Sequence, residues 1–206
     1  MTAAIRVAFL LALPWAAAAP ALAQGNAADD EYTRYELLEP GSAKFRILYQ
    51  VTAVSPGARY YFNPIRKGSE ASDESVVDPA TGARLKFRVV SGIEARADGF
   101  AGADSTTDYI RVELPRPVPP NGEVRILIDK TYRDARSYRH EGDEIVFDRS
   151  LGIRRNAIVL PAGYELTGCN VPAQVLSTDD GRIMVSFINP GPAAAPLVVR
   201  ARRLAP

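Results

Sequence analysis

An all-β chain, folded as an antiparallel β-sandwich, is what this sequence predicts, on three observations. Apolar and polar residues alternate at a period of two, most clearly at Phe45, Ile47, Tyr49, Val51 and Ala53 against Lys44, Arg46, Gln50 and Thr52. Turn residues separate the short apolar runs at Glu39-Pro40-Gly41-Ser42, Ser55-Pro56-Gly57, Asp78-Pro79-Ala80-Thr81-Gly82, Asn121-Gly122 and Asp179-Asp180-Gly181. No stretch keeps a helical apolar period for three turns, and Asp129 to Tyr138 has room for one helical turn or two at most.

Taken in order, a first strand is expected over Tyr32–Glu39, followed by the alternating strand around Phe45–Ala53 as a hairpin with one wet face. Tyr60-Tyr61-Phe62 forms a further strand that stops at Asn63-Pro64. The polar stretch Arg66–Ser75 reads as a surface loop. Val76-Val77 and Leu85, Phe87 and Val89 flank the Asp78–Gly82 turn as a short hairpin, and Ala95–Thr107 has no period and reads as a second loop. Ile110, Val112 and Leu114 form a strand that the run Pro115-Arg116-Pro117-Val118-Pro119-Pro120 must end, because proline donates no ladder hydrogen bond. Val124, Ile126 and Ile128 alternate with Glu123, Arg125 and Asp129. Ile145 and Phe147, Ala157–Leu160, Tyr164–Cys169, the Asp-Gly hairpin leading to Ile183, Val185 and Phe187, and Leu197–Ala201 complete the set.

The ends and the composition bound the function. Arg6, the apolar run Val7–Ala19 and Ala21-Leu22-Ala23 have the order of a cleaved export signal, so residues 1–23 are expected to be removed and 24–31 to form a polar tail before a single domain over 32–206. The expected location is periplasmic or extracellular, with no stable membrane insertion after cleavage, since the apolar run is short for a bilayer span. Arg6 is the only charge lost with that segment, which leaves acids and bases in balance. A balanced charge argues against nucleic acid or an anionic membrane surface as partner, both of which select a basic excess. Cys169 is the only cysteine, so no intramolecular disulfide can form, and its place in the expected strand Tyr164–Cys169 is that of a small buried hydrophobe.

No residue constellation points to catalysis. His140, the only histidine, lies in the polar segment Tyr138-Arg139-His140-Glu141-Gly142, read as a turn, with no nucleophile or orienting acid identifiable beside it. Asp143, Glu144 and Asp148 could supply an acid and base for a carboxylate-dependent hydrolase, but many arginines stand nearby and ion pairing on a wet sheet face accounts for them. Asp73, Glu74 and Asp78, or Asp179 and Asp180, lack the spacing of a calcium loop, and no cofactor or metal is expected. Two loops are the better candidates for binding. Asn63-Pro64-Ile65-Arg66-Lys67-Gly68-Ser69 carries Asn63, Arg66 and Lys67, and Asp148–Asn156 carries Arg149, Arg154 and Arg155 as forks suited to bidentate anion contacts.

From Leu114 to Tyr132 the chain has a strand ending in Leu, a proline-rich turn, Gly122, then Val124, Ile126, Ile128 and a trailing Tyr132. This segment resembles the N-terminal β domain of M1-type zinc aminopeptidases. The order around it is similar too: an early hairpin over Tyr35–Val54, the Tyr60–Phe62 strand, a hairpin over Val76–Val90, and Leu160-Pro161 before the Gly181 hairpin. The likeness covers most of residues 32–203 and departs at Lys44-Phe45-Arg46, where the family usually carries glycine. It implies the fold and a docking role. It does not imply peptidase activity, because HExxH needs two histidines one helical turn apart and this sequence has one in all. The expectation is therefore an exported, non-catalytic module that binds a protein partner, with a carboxylate-dependent hydrolase or a small-anion carrier as the alternatives.

Overall fold

The computed structural model describes residues 31–205; the expected signal segment and all but the last residue of the expected tail lie outside them. Fourteen strands and one short helix form three sheets among the described residues. A seven-stranded sheet is ordered β12(Gln174–Ser177), β13(Ile183–Ile188), β10(Arg155–Val159), β1(Tyr32–Leu37), β2(Lys44–Ala53), β7(Val124–Arg133), β4(Glu70–Val77). A four-stranded sheet is ordered β11(Tyr164–Cys169), β14(Ala195–Arg203), β9(Glu144–Leu151), β8(Tyr138–Glu141), and a three-stranded one β3(Tyr60–Pro64), β6(Asp108–Glu113), β5(Phe87–Ser91). The pairs are antiparallel except β1 with β10, which run parallel, from Tyr32 opposite Arg155 to Glu36 opposite Val159.

The alternation at Phe45–Ala53 is the inner face of β2, and Val124, Ile126, Ile128 and Tyr132 are that of β7, its antiparallel neighbour over ten residues. Both faces pack against β9 and β14 of the four-stranded sheet, so Phe45, Ile47, Ile128, Ile145, Phe147, Leu197 and Val199 share one core. Phe147 of β9 meets Phe45 edge-on at 5.3 Å between ring centres and Tyr35 at 5.5 Å, while Tyr132 meets Phe45 at 6.2 Å. Such aromatic pairs add about 0.5–1.5 kcal/mol each beyond the area they bury, which is why the two sheets close at this point.

Five expected elements differ. Arg66–Ser75 is not all loop: Glu70–Val77 is strand β4, polar because it borders solvent at the sheet edge, and its partner β7 supplies the ladder that its own composition does not advertise. Within Ala95–Thr107 the first residues belong to helix α1(Gly92–Ala97), which begins on a capping box in which Ser91 Oγ accepts from the Glu94 amide at 3.2 Å and Glu94 Oε2 accepts from the Ser91 amide at 3.3 Å. The Asp78–Gly82 turn forms, with the Asp78 amide on the Ala83 carbonyl at 2.9 Å, but Phe87–Ser91 then leaves β4 to pair with β6. Tyr138–Glu141 is strand β8 and not a polar turn, and Asp129–Arg133 continues β7 in place of a helical turn.

Gly92 opens α1 against the 104–105 backbone, where a Cβ would lie 1.9 Å from the Asp104 carbonyl oxygen. Gly→Ala within a helix ordinarily stabilises by up to about 1 kcal/mol. Here the two backbones must part, so Gly92→Ala is expected to destabilise by about 1–3 kcal/mol, read as a lower urea midpoint at unchanged slope.

Candidate functional site

The inner face of β7 carries a lysine. Continuing its period of two from Val124 through Ile128 places Lys130 among core residues, at 4% exposure, and Tyr132 after it. The Lys130 ammonium donates to the Asn63 side-chain oxygen and to Tyr132 Oη at 3.0 Å, and lies 4.7 Å from the centre of the Tyr132 ring. Close by, the Tyr61 and Tyr49 hydroxyls lie 3.5 Å apart, with Asn63 acting on the first and the Glu31 carboxyl on the second. A polar cluster thus interrupts an otherwise apolar core, and the buried ammonium finds partners as burial demands.

Lys130 makes no salt bridge among the described residues. Burial first, then the charge of Arg149, draw its ammonium down to about 7, against a smaller pull upward from Glu74. Glu74 belongs to a β-bulge: Ser72 opposes Thr131 and Ser75 opposes Asp129, so Asp73 and Glu74 together face Lys130. Asp73 is left-handed, at φ 56°, a conformation non-glycine residues seldom take. Bulges re-aim side chains beside functional sites, and this one brings a carboxylate toward the buried ammonium. Burial likewise pushes the Tyr61 hydroxyl up to about 12 and raises the Glu31 carboxyl.

Beside this cluster, Arg149 of β9 points inward at 7% exposure. Its Nη1 lies 3.3 Å from Asp134 Oδ2 and 3.2 Å from Ser137 Oγ, with the guanidinium 5.4 Å from the Phe45 ring centre and 5.6 Å from that of Tyr132. Asp134 Oδ2 also accepts from Ser137 Oγ at 2.8 Å and Ser69 Oγ at 3.2 Å, and its Oδ1 accepts from the Arg136 and Ser137 amides. Burial opposes ionisation of Asp134, but these donors outweigh it and hold the carboxyl below its ordinary range. Burial, reinforced by Arg66, lowers Arg149.

Of the six residues singled out in the sequence, four meet here. Asn63 is not in a loop: it sits buried on β3 and holds Lys130. Arg66 follows β3, and its backbone acts on the Tyr132 hydroxyl, favouring its ionised form. Lys67 Nζ donates to Thr106 Oγ1 at 2.6 Å and pairs with Asp104 at 3.6 Å. Arg149 is not a solvent-facing fork, because β9 runs to Leu151 and turns it into the core. Arg66 and Lys67 border an open cleft of about 400 Å3 with Asp134, Arg136, Ser137 and Asp148. Arg154 and Arg155 are elsewhere, at the start of β10, where Arg155 lines a separate cleft with Tyr32, Gln174 and Ile188. Sequence reading missed Lys130, although its place in the alternation of β7 was the available signal.

The carboxylates on β8 and β9 are engaged by arginine. Glu141 Oε1 is 2.7 Å from Arg139 and its Oε2 2.9 Å from Arg200, which hold its carboxyl below the usual range; Glu144 accepts from Thr167 and Arg200, and Asp148 lies 3.4 Å from Arg139. His140 is exposed on β8. No group of three His, Cys, Asp or Glu side chains among the described residues is placed to hold a metal ion.

Two measurements follow from this geometry. The Lys130 ammonium is disfavoured in the folded state, so the penalty is full below pH 7 and is relieved as pH rises toward the unfolded value near 10.5. Unfolding free energy is expected to climb over that window by on the order of a few kcal/mol, and Lys130→Met to flatten the climb in urea titrations at successive pH values. Asp134→Ala strands a buried guanidinium and is expected to lose about 3–5 kcal/mol, of which the double variant with Arg149→Met recovers a large part in the same assay.

No family model matches the sequence, and no curated protein matches it. Among solved structures the chain is similar to a two-domain M1 zinc metallopeptidase mutant bound to L-tryptophan, at TM-score 0.50 and 12% identity over 85% of this chain and 43% of that one. The same values hold for an M1 zinc metallopeptidase mutant from Deinococcus radiodurans bound to a Tyr-Ser-Ala substrate. An aminopeptidase N family protein from Idiomarina loihiensis aligns at TM-score 0.46 and 7% identity, over 82% of this chain and 29% of its own. The chain spans less than half the length of these proteins. At such identity the likeness is one of fold, and it is the β-sandwich of M1 zinc metallopeptidases that residues of this chain adopt.

Proposed function

We propose that this chain is an exported, non-catalytic β-sandwich module that captures a partner protein at the β12 edge of its seven-stranded sheet. The observation that carries the reading is the apolar character of that edge. All four residues of β12 are exposed, with Val175 at 54% and Leu176 at 43%, and Ile188 of the neighbouring β13 is exposed at 62%. Natural edge strands are usually guarded by charge or proline, and Gln174–Ser177 contains neither. On the outer face Arg155 opposes Ile188, Ser186 opposes Gln174, and Tyr32 opposes Arg155, around a cleft of about 680 Å3.

An unpaired edge beside an apolar groove suits an extended partner segment that adds a strand, its backbone supplying affinity and its alternate side chains specificity. Tyr32 and Arg155 are residue types that anchor interfaces. Export is supported by Arg6, the apolar run after it and Ala21-Leu22-Ala23. A non-catalytic role is supported by the lone His140 and by ion pairing of the β8 and β9 carboxylates. Of the arginines singled out in the sequence, Arg155 at the start of β10 lines this cleft, next to Arg154 in the chain.

A photo-crosslinking residue at Gln174, with one at exposed Gln50 on β2 as control, tests the reading in cells. One stoichiometric protein is expected from position 174 only, lost with Leu176→Arg and weakened by Arg154→Glu with Arg155→Glu, while the melting temperature holds. The same species from both positions, none above background at Gln174, or a crosslink to a second copy of this chain would each overturn it.

A further inference from the structure

The cleft between Arg66 and Arg136 lies apart from that docking surface, and its charges do not cancel. Each cation and anion on its walls can be followed to a partner, with two exceptions. Lys67 is taken by Asp104 and Asp134 by Arg149, and Asp148 shares Arg139 with Glu141, which Arg200 also holds. Arg66 and Arg136 make no salt bridge among the described residues. The cleft therefore keeps two positive charges, with the buried Arg149 behind its floor.

Arg136 is held in place. Its Nη2 donates to the Lys67 carbonyl at 3.2 Å, lying across the turn that carries Arg66. Gly68 makes that approach possible: it is left-handed at φ +82°, and a Cβ there would stand 2.1 Å from Arg136 Nη2. The Asp134 carboxylate on the floor does not repel an anion as a free one would. Its Oδ1 is capped by two amides and its Oδ2 by Ser69, Ser137 and Arg149.

We propose that this cleft binds a compact doubly charged oxyanion, a phosphate or a dicarboxylate, between the guanidinium forks of Arg66 and Arg136. Two residual charges match a dianion in preference to a monoanion, and planar forks favour bidentate oxygen pairs. The open volume of about 400 Å3 admits a group of that size from solvent.

Isothermal titration of the purified protein with inorganic phosphate, succinate and acetate at matched ionic strength provides the test. Saturable 1:1 binding of phosphate or succinate is expected, at least about tenfold tighter than acetate; whichever dianion wins identifies the class. Arg66→Gln and Arg136→Gln are each expected to weaken it about tenfold or more at unchanged melting temperature. Arg136→Lys, which keeps the charge and removes the fork, and Gly68→Ala, which displaces Arg136 without removing it, are expected to weaken it as well. Arg154→Gln with Arg155→Gln leaves it intact. No saturable heat with either dianion up to about 10 mM, equal affinity for acetate, or binding that survives the Arg66→Gln, Arg136→Gln double variant would overturn the proposal.

Discussion

One buried ion pair, Asp134 with Arg149, fastens the two main sheets where they would otherwise part. Asp134 follows the last residue of β7 and Arg149 comes from the inner face of β9, so the pair joins the seven-stranded sheet to the four-stranded one. The Asp134 amide is anchored on the Ala43 carbonyl at 2.9 Å, and its own carbonyl accepts from Ser137 and Tyr138, which turns the chain into β8. Two charges in a core are costly to desolvate, and only full satisfaction by further hydrogen bonds makes such a pair tolerable. Five donors on the carboxylate and two aromatic faces beside the guanidinium meet that requirement.

The polar cluster around Lys130 depends on the same corner. Arg149 and Lys130 repel each other beside Tyr132, with Asp134 opposing the charge of Arg149 and the bulged Glu74 that of Lys130. A leucine at position 130 would pack more simply against Ile128. The lysine instead ties β7 to Asn63 of the three-stranded sheet, giving register to a sheet whose apolar contacts with the main core are fewer. Arg149 reaches the Arg66 and Arg136 cleft from behind through Asp134 and Ser137, and the left-handed Asp73 sits in the bulge opposite Lys130.

The two candidate surfaces divide the chemistry between them. At the β12 edge the exposed side chains are apolar and the backbone is open, which suits an extended peptide. At the Arg66 cleft the walls are cationic and anchored from beneath, which suits a small anion. The likeness to M1 zinc metallopeptidases accounts for the layering of the sheets and is silent on both surfaces.

Residues close in the chain carried much of the fold in their own pattern. The inner faces of β2, β7 and β13, the Asp78–Gly82 and Asp179–Gly181 turns and the proline stop after β6 all follow from alternation and turn chemistry, which neighbours in sequence decide. The Ser91 and Glu94 capping box was legible in the same way, although a helix of six residues has too few apolar positions to show a period. What the sequence could not decide was where each charge would point. Arg149 and Lys130 keep to the apolar side of their strands, yet a cation enters a core only if distant residues are there to satisfy it, and Asn63 and Asp134 are brought to them by pairing between strands far apart in sequence. The parallel insertion of β1 beside β10 and the polar strand β4 arose likewise from partners and not from composition. Tertiary structure therefore chose the candidate site, because burial of a charge is a property of its surroundings and not of its own residue type.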